Sequence, residues 1–88
     1  MEENKKQYLS LLSEIVKKET VIFGDIAILK ARKIAGLVFD ENENVIDIAG
    51  DVAETIQKLV LSYTELSGQA AKDSIDLIFD KYPQIKKI

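Results

Sequence analysis

The centre of the chain, residues 36–51, reads GLVFDENENVIDIAGD. It holds two short apolar runs rich in β-branched residues, Leu37–Phe39 and Val45–Ile48, on either side of the polar segment DENEN. Such runs favour strands and the polar segment favours a tight turn, so we predict a small β-hairpin over residues 37–50. Because a lone hairpin is only marginally stable in water, its apolar face must lie against helices or a second copy.

Two details of this hairpin follow from its sequence. A short hairpin loop needs a residue with a positive φ, and Asn tolerates that conformation better than any residue except Gly, so we expect it at Asn42 or Asn44. Side chains alternate along a strand, so one face should carry Val45, Asp47 and Ala49 and the other Ile46 and Ile48. The exposed edge of the hairpin is a candidate interaction surface.

A helical hairpin is predicted before it, over residues 1–36. Apolar side chains recur there at the spacing of one helical face; they are Tyr8, Leu11, Leu12, Ile15 and Val16. Gly24 should end the first helix and Asp25 should cap the second, because Gly is favoured just past a helix end and Asp at the N-cap. The second helix is expected to run to about Ala35, with Gly36 as its terminator.

A second helical hairpin is predicted over residues 51–83. Asp51 is a natural N-cap, and a clean apolar stripe follows it; the stripe consists of Val52, Ile56, Leu59, Val60, Tyr63 and Leu66. Gly68 should separate this helix from a fourth one, which ends by Pro83 because proline cannot continue a helix interior. Residues 84–88 form a tail.

The two helical segments resemble each other at an offset of 44 residues, the separation of Gly24 and Gly68. The matching pairs are Leu12 and Ile56, Ile15 and Leu59, Val16 and Val60, Thr20 and Thr64, Ile22 and Leu66, Ala27 and Ala71, and Ile34 and Ile78. An internal duplication would produce this pattern, and so would the chance alignment of two amphipathic helices. Either way we predict a single domain over residues 1–88. Its fold is mainly α, four-helix bundle-like with a small central β-hairpin, in the order α-α-β-β-α-α.

The amino-acid composition makes several classes of function unlikely. The chain has no Cys and no His, so it lacks the commonest zinc ligands and the usual general base. It has no nucleophile with an adjacent base and no cofactor fingerprint, so we expect a non-catalytic protein without a cofactor. A net charge of −3 argues against nucleic-acid binding. With no membrane-spanning apolar run and no signal-peptide pattern, we expect a cytoplasmic protein, and its Lys- and Ile-rich composition resembles that of some thermophilic prokaryotes.

The acidic loop partly matches a calcium-binding loop. The residues at its first, third, fifth and twelfth positions are Asp40, Asn42, Asn44 and Asp51. However, Val45 stands where that loop needs Gly, and Asp51 stands where it needs a bidentate Glu. A solvated turn is the better interpretation, and no metal is favoured.

Two charged groups of residues lie on the helices. Lys30, Arg32 and Lys33 form a basic cluster, and Asp73, Asp76 and Asp80 fall at i, i+3 and i+7 of the fourth helix. The first could contact a phosphate and the second a metal or a basic partner. Without interleaved aromatic residues or histidine, solvated helix faces explain both groups better.

The second helix begins with an unusually apolar run, which indicates burial on more than one face, within the domain or between subunits. We therefore expect a protein-protein interaction or assembly module, a homodimer whose further partners are unknown. The residues predicted for the dimer contact are Ile26, Ile28, Leu29, Leu37 and Phe39. The alternative is a ligand- or metal-binding regulatory protein that uses the helical interior or the acidic loop.

Overall fold

Four helices and one β-hairpin follow one another in the predicted order. The computed structural model describes residues 2–85. Its elements are α1 (Glu2–Phe23), α2 (Asp25–Arg32), β1 (Leu37–Phe39), β2 (Val45–Ile48), α3 (Val52–Ser67) and α4 (Gln69–Phe79). The predicted mainly α fold with a central hairpin is therefore confirmed. Of the predicted tail, residues 86–88 lie outside the described residues, and Ile85 is buried in the core.

The helices break at Gly24 and Gly68 rather than run through them. Both glycines have a left-handed backbone, with φ of 76° and 60°. The N–H of Gly24 donates to the Thr20 carbonyl at 2.8 Å, and that of Gly68 donates to the Thr64 carbonyl at 2.6 Å. Each of these threonines also donates its hydroxyl to the carbonyl four residues earlier, at 2.7 Å. The two breaks therefore share one local structure, which an L side chain at the glycine would strain.

Helix α2 differs from the prediction at both ends. Gly24, not Asp25, occupies the N-cap, because its left-handed conformation falls at that position. Asp25 instead lies in the first turn, where its charge still faces the positive end of the helix. The helix ends at Arg32, short of Ala35, because the N–H of Ile34 bonds the carbonyl only three residues back, at 3.0 Å.

Helices α3 and α4 begin and end for identifiable reasons. Asp51 is the predicted N-cap of α3, and its carboxylate accepts from the Glu54 N–H at 2.9 Å. Helix α4 ends at Phe79, before the predicted limit at Pro83. The N–H of Tyr82 bonds the carbonyl three residues earlier at 2.9 Å, so the chain is already in a turn when it meets the proline.

The hairpin contains a bulge that the sequence prediction missed. The strands pair antiparallel, with Leu37 opposite Ile48, Val38 opposite Asp47 and Phe39 opposite Val45. Ile46 therefore has no partner, and the alternation of faces shifts by one residue. Val45 and Ile48 are both buried, whereas Ile46 is half exposed. The predicted strict alternation along this strand was wrong.

The hairpin loop places its positive φ at Glu43, at 65°, and not at either asparagine. The Asp40 carboxylate accepts from the N–H groups of Asn42 at 2.8 Å and Asn44 at 2.9 Å. The Glu43 N–H bonds the Asp40 carbonyl at 3.2 Å, which closes a four-residue turn. In a three-residue loop of this type the left-handed position is the third, and Glu43 occupies it.

Helix α1 fixes the hairpin and covers part of its edge. The Ser13 hydroxyl accepts from the Val45 N–H at 2.8 Å, and the Lys5 ammonium lies 2.6 Å from the Asp47 carboxylate. The hairpin edge that the sequence predicts to be exposed is thus hydrogen-bonded to α1 at Val45.

One cluster of buried hydrophobic side chains draws on both helical hairpins and on β2. From α1 and α2 it contains Leu11, Leu12, Ile15, Val16, Ala27, Ile28 and Ala31. From the rest of the chain it contains Val45, Ile48, Ile56, Leu59, Tyr63, Ala71, Ile75, Ile78, Phe79 and Ile85. The hairpin is stabilised by lying on this helical core.

Residues that match at the 44-residue offset occupy corresponding places. Helices α1 and α4 run antiparallel, because Glu14 contacts Lys81 while Glu19, further along α1, contacts Ser74. In the other half Tyr63 of α3, the repeat partner of Glu19, contacts Ala27 of α2. Glu19 and Tyr63 thus each join a helix of one half to a helix of the other, and the two-fold symmetry and the origin by duplication stay predictions.

Replacing Glu43 by Gly should stabilise the protein. Glycine removes the cost of a left-handed L residue, and the gain exceeds its extra unfolded-state entropy by about 0.5–1 kcal/mol. The free energy of unfolding in urea measures this change. Glu41→Gly, in the same loop but without a positive φ, is the matched control and should destabilise by about 0.5 kcal/mol. Equal effects of both substitutions would contradict the loop assignment.

Candidate functional site

Exposed apolar side chains are concentrated where α1 meets α2. In the described part of the chain eight large apolar side chains are exposed, and four of them lie within residues 21–29. Three surround the Gly24 break and form what we call the corner patch: Ile22, Ile26 and Leu29, which are 51%, 44% and 57% exposed. The fourth, Val21, lies in a separate groove described below.

The five residues predicted for a dimer contact do not form one face. Ile26 and Leu29 are exposed and belong to the corner patch. Ile28 is 6% exposed and lies in the core. Leu37 and Phe39 are half-buried and pack against that core. The sequence indicated the apolar start of α2 but could not separate its inner side from its outer side, because nearly every residue there is apolar.

A groove runs between α1 and α4 on another part of the surface. Its lining residues are Glu14, Lys17, Lys18 and Val21 of α1, Ser74, Leu77 and Ile78 of α4, and Lys81 from the turn after α4. We call this the α1–α4 groove. Sequence reasoning did not identify it, since it depends on how the first and last helices meet.

The end of this groove is closed by an ion pair. Lys81 Nζ lies 3.2 Å from one oxygen of Glu14, and the Tyr82 hydroxyl donates to the other oxygen at 2.6 Å. The Tyr82 hydrogen bond, more than the lysine, holds the pKa of Glu14 below its ordinary value. Burial, together with this bond, raises the pKa of Tyr82 to about 12. The Glu14 carboxylate therefore stays ionised, and its charge is paired with the Lys81 ammonium.

Glu19 lies behind the wall of the groove and is fully buried. One of its carboxylate oxygens accepts from the Ser74 hydroxyl at 3.2 Å, and the other has no hydrogen-bond partner. Burial raises the pKa of Glu19. Since Leu12, Ile15 and Val16 are core residues, helical spacing alone places residue 19 on the same buried face. The burial of Glu19 could therefore have been predicted from the spacing of the apolar residues in the sequence.

Tyr63 is the repeat partner of Glu19 and is also fully buried. Its hydroxyl donates to the Ala27 carbonyl at 2.9 Å. Burial, and secondly the charge of Glu19, raise the pKa of Tyr63. This hydroxyl therefore stays protonated and serves to join α3 to α2.

Two of the candidate calcium ligands, Asp40 and Asp51, accept hydrogen bonds from main-chain N–H groups. Asp40 accepts three hydrogen bonds from its own loop, two from N–H groups and one from the Asn44 side chain at 3.1 Å. These bonds hold the pKa of Asp40 below its ordinary value. Asp51 caps α3. Within residues 2–85 no three acidic side chains are grouped as metal ligands would be.

The two charged groups of residues lie on α2 and α4, with Lys33 and Asp80 just past the last helical residue of each, so Asp80 is not on the fourth helix as predicted. The Arg32 guanidinium stands 5.8 Å from the centre of the Phe39 ring, a cation–π contact that fixes it to the hairpin. Asp73 accepts from the Gln69 amide at 2.7 Å within α4. Both contacts are made between side chains of this protein itself.

Comparison with protein-family models, curated proteins and solved structures gives no match. Among the described residues, no helix has the length and apolar character needed to cross a membrane. The function of the protein is therefore inferred from the contacts described above.

The buried Glu19 should make stability depend on pH. Its folded pKa is raised above 4.5, so the ionised form opposes folding. The free-energy cost of the buried charge is absent below the pKa that Glu19 has in the unfolded chain, and it grows as pH rises through the pKa of Glu19 in the folded protein. The free energy of unfolding therefore falls across that pH window. At neutral pH Glu19→Gln should raise the free energy of unfolding by about 1–3 kcal/mol, because an unpaired buried charge is removed.

Glu14→Gln is the matched control, since the folded pKa of Glu14 is lowered. Its stabilising contribution is present above the unfolded pKa and lost as pH falls, so this variant should be less stable than the wild type at neutral pH. Urea unfolding of both variants from pH 4 to 8 measures the difference. A Glu19→Gln variant no more stable than the wild type at neutral pH would contradict the assignment.

Proposed function

We propose that this protein is a small, non-catalytic assembly module of the cytoplasm that associates with a second copy of itself through the corner patch. The observation that carries this proposal is the concentration of Ile22, Ile26 and Leu29 at one helix junction. Single exposed apolar side chains are normal on a protein surface, but a group of them is typical of an interaction site.

A two-fold dimer suits this patch. In such a dimer the same surface of each subunit meets itself, so an apolar patch is complementary to its own copy without matched charges. The corner patch lies on two helices whose inner faces pack on the core. Association there orders less backbone than it would in a loop, and so costs less conformational entropy.

A non-catalytic role is supported by the structural tasks of the polar groups. Ser13 bonds the edge of β2, Tyr63 joins two helices, and Asp51 caps α3. Each of these groups serves the fold through a specific hydrogen bond.

Leu29→Asp should weaken the dimer about tenfold or more, because a charge would be buried at the contact. Leu61→Asp is the matched control: Leu61 is 60% exposed on α3, against 57% for Leu29, and lies outside the patch. Light scattering over a concentration series gives the molar mass of each variant, and circular dichroism verifies its fold. Ile28 is unsuitable for this test, because its substitution would disrupt the core.

The wild type and Leu61→Asp should approach twice the chain mass of 9.9 kDa as concentration rises. A wild-type protein that stays monomeric throughout, or equal weakening by both substitutions, would refute the corner-patch dimer.

A further inference from the structure

The walls of the α1–α4 groove have the periodicity of a helix-binding surface. The lining residues of α1 lie at positions 14, 17, 18 and 21, and α4 contributes positions 74, 77 and 78, with Lys81 in the turn that follows the end of α4 at Phe79. The α1 residues follow i, i+3, i+4 and i+7, a stripe two turns and about 10 Å long, and the α4 residues follow i, i+3 and i+4 over one turn. Two antiparallel stripes of this kind form the groove into which a third helix packs.

The edges of this groove are apolar. Val21 is 85% exposed and Leu77 is 67% exposed, which makes them the two most exposed of the large apolar side chains in residues 5–85. They lie on opposite walls, and the buried Ile78 lies between them and the core. A partner with an apolar stripe would remove both exposed side chains from water.

The charge around the groove is opposite in sign to that of the protein. Lys17, Lys18 and Lys81 line it together with one acidic residue, Glu14. Glu14 is already bonded to Lys81 and Tyr82. The chain as a whole carries −3. With Lys81 paired to Glu14, the lining residues keep a net charge of +2 from Lys17 and Lys18, and the α1 wall is therefore complementary to carboxylates.

The repeat provides a comparison within the same molecule. An equivalent groove is lined by α3 and by the residues that follow α2, and at the 44-residue offset its Glu65 and Lys33 replace Val21 and Leu77. At these two positions the equivalent groove is charged where the α1–α4 groove is apolar, although it exposes Leu61 at the place of Lys17. Of the two grooves, the α1–α4 groove exposes large apolar side chains on both walls and has three lysines among its lining residues, against two.

We infer that the α1–α4 groove binds an amphipathic helix of a partner protein, with an apolar stripe flanked by Asp and Glu. The stripe would contact Val21, Leu77 and Ile78, and the flanking carboxylates would meet the lysines. The groove is open along its length, so an acyl chain would remain partly wet in it whereas a helix would cover both edges. This site is separate from the corner patch and does not depend on self-association.

The test uses a fluorescein-labelled helical peptide of about 16 residues, with Leu at i, i+3, i+4 and i+7 and Glu on its flanks. A second peptide carries Lys in place of Glu. Fluorescence anisotropy with the full chain should show saturable binding of the acidic peptide. Binding of the basic peptide should be about tenfold weaker or less, and added salt should weaken binding of the acidic one.

Leu77→Asp and the double variant Lys17→Glu/Lys18→Glu should each weaken binding of the acidic peptide about tenfold. Lys33→Glu and Leu61→Asp, which leave the groove unchanged, should bind as the wild type does. Leu29→Asp should also bind normally, so failure of the dimer proposal leaves this one intact. Circular dichroism verifies that each variant is folded.

Three results would overturn the inference. One is equal binding of the two peptides, and another is normal binding by Leu77→Asp. The third is an absence of peptide binding. If laurate binds instead, the occupant is an anionic amphiphile, and if Leu77→Asp alters the molar mass of the protein, the occupant is a second copy.

Discussion

The fold depends on two left-handed glycines, each of which ends one helix and begins the next without an intervening loop. With φ of 76° at Gly24 and 60° at Gly68, the chain changes direction within one residue. Nothing lies within 4 Å of the position that a Cβ would take at either glycine, so the requirement is conformational and not steric. These two breaks pack α1 against α2 and α3 against α4. The core draws on both pairs, and the grooves lie where one pair meets the other.

The elements themselves could be predicted because they depend on local chemistry. Apolar periodicity located the helices, glycine located the breaks, and Asp51 was recognisable as a cap. The hairpin was also found, but its details were not. Ile46 is unpaired next to Val45, whose N–H donates to the Ser13 hydroxyl of α1. Such a contact between residues 32 positions apart has no local signal.

The candidate sites were predicted less well, since they are properties of assembled surfaces. The apolar start of α2 indicated an interaction surface, yet Ile28 lies in the core while Leu29 is exposed. The α1–α4 groove joins residues more than fifty positions apart and was not found. Glu19 is a different case. Helical spacing places it on the buried face, but an acidic residue is expected at the surface, and that expectation outweighs the spacing.

Comparing the two halves separates the features that they share from those in which they differ. Both halves share the break, the bonded threonine and the buried alanine that follows. At equivalent places in the grooves, however, one half has Val21 and Leu77 and the other has Glu65 and Lys33. Because Glu65 of α3 fills the position that corresponds to Val21 of α1, folding does not require an apolar residue there. Exposed apolar side chains reduce solubility, and Val21 and Leu77 are the two most exposed in residues 5–85, which is consistent with the proposed helix contact at their groove.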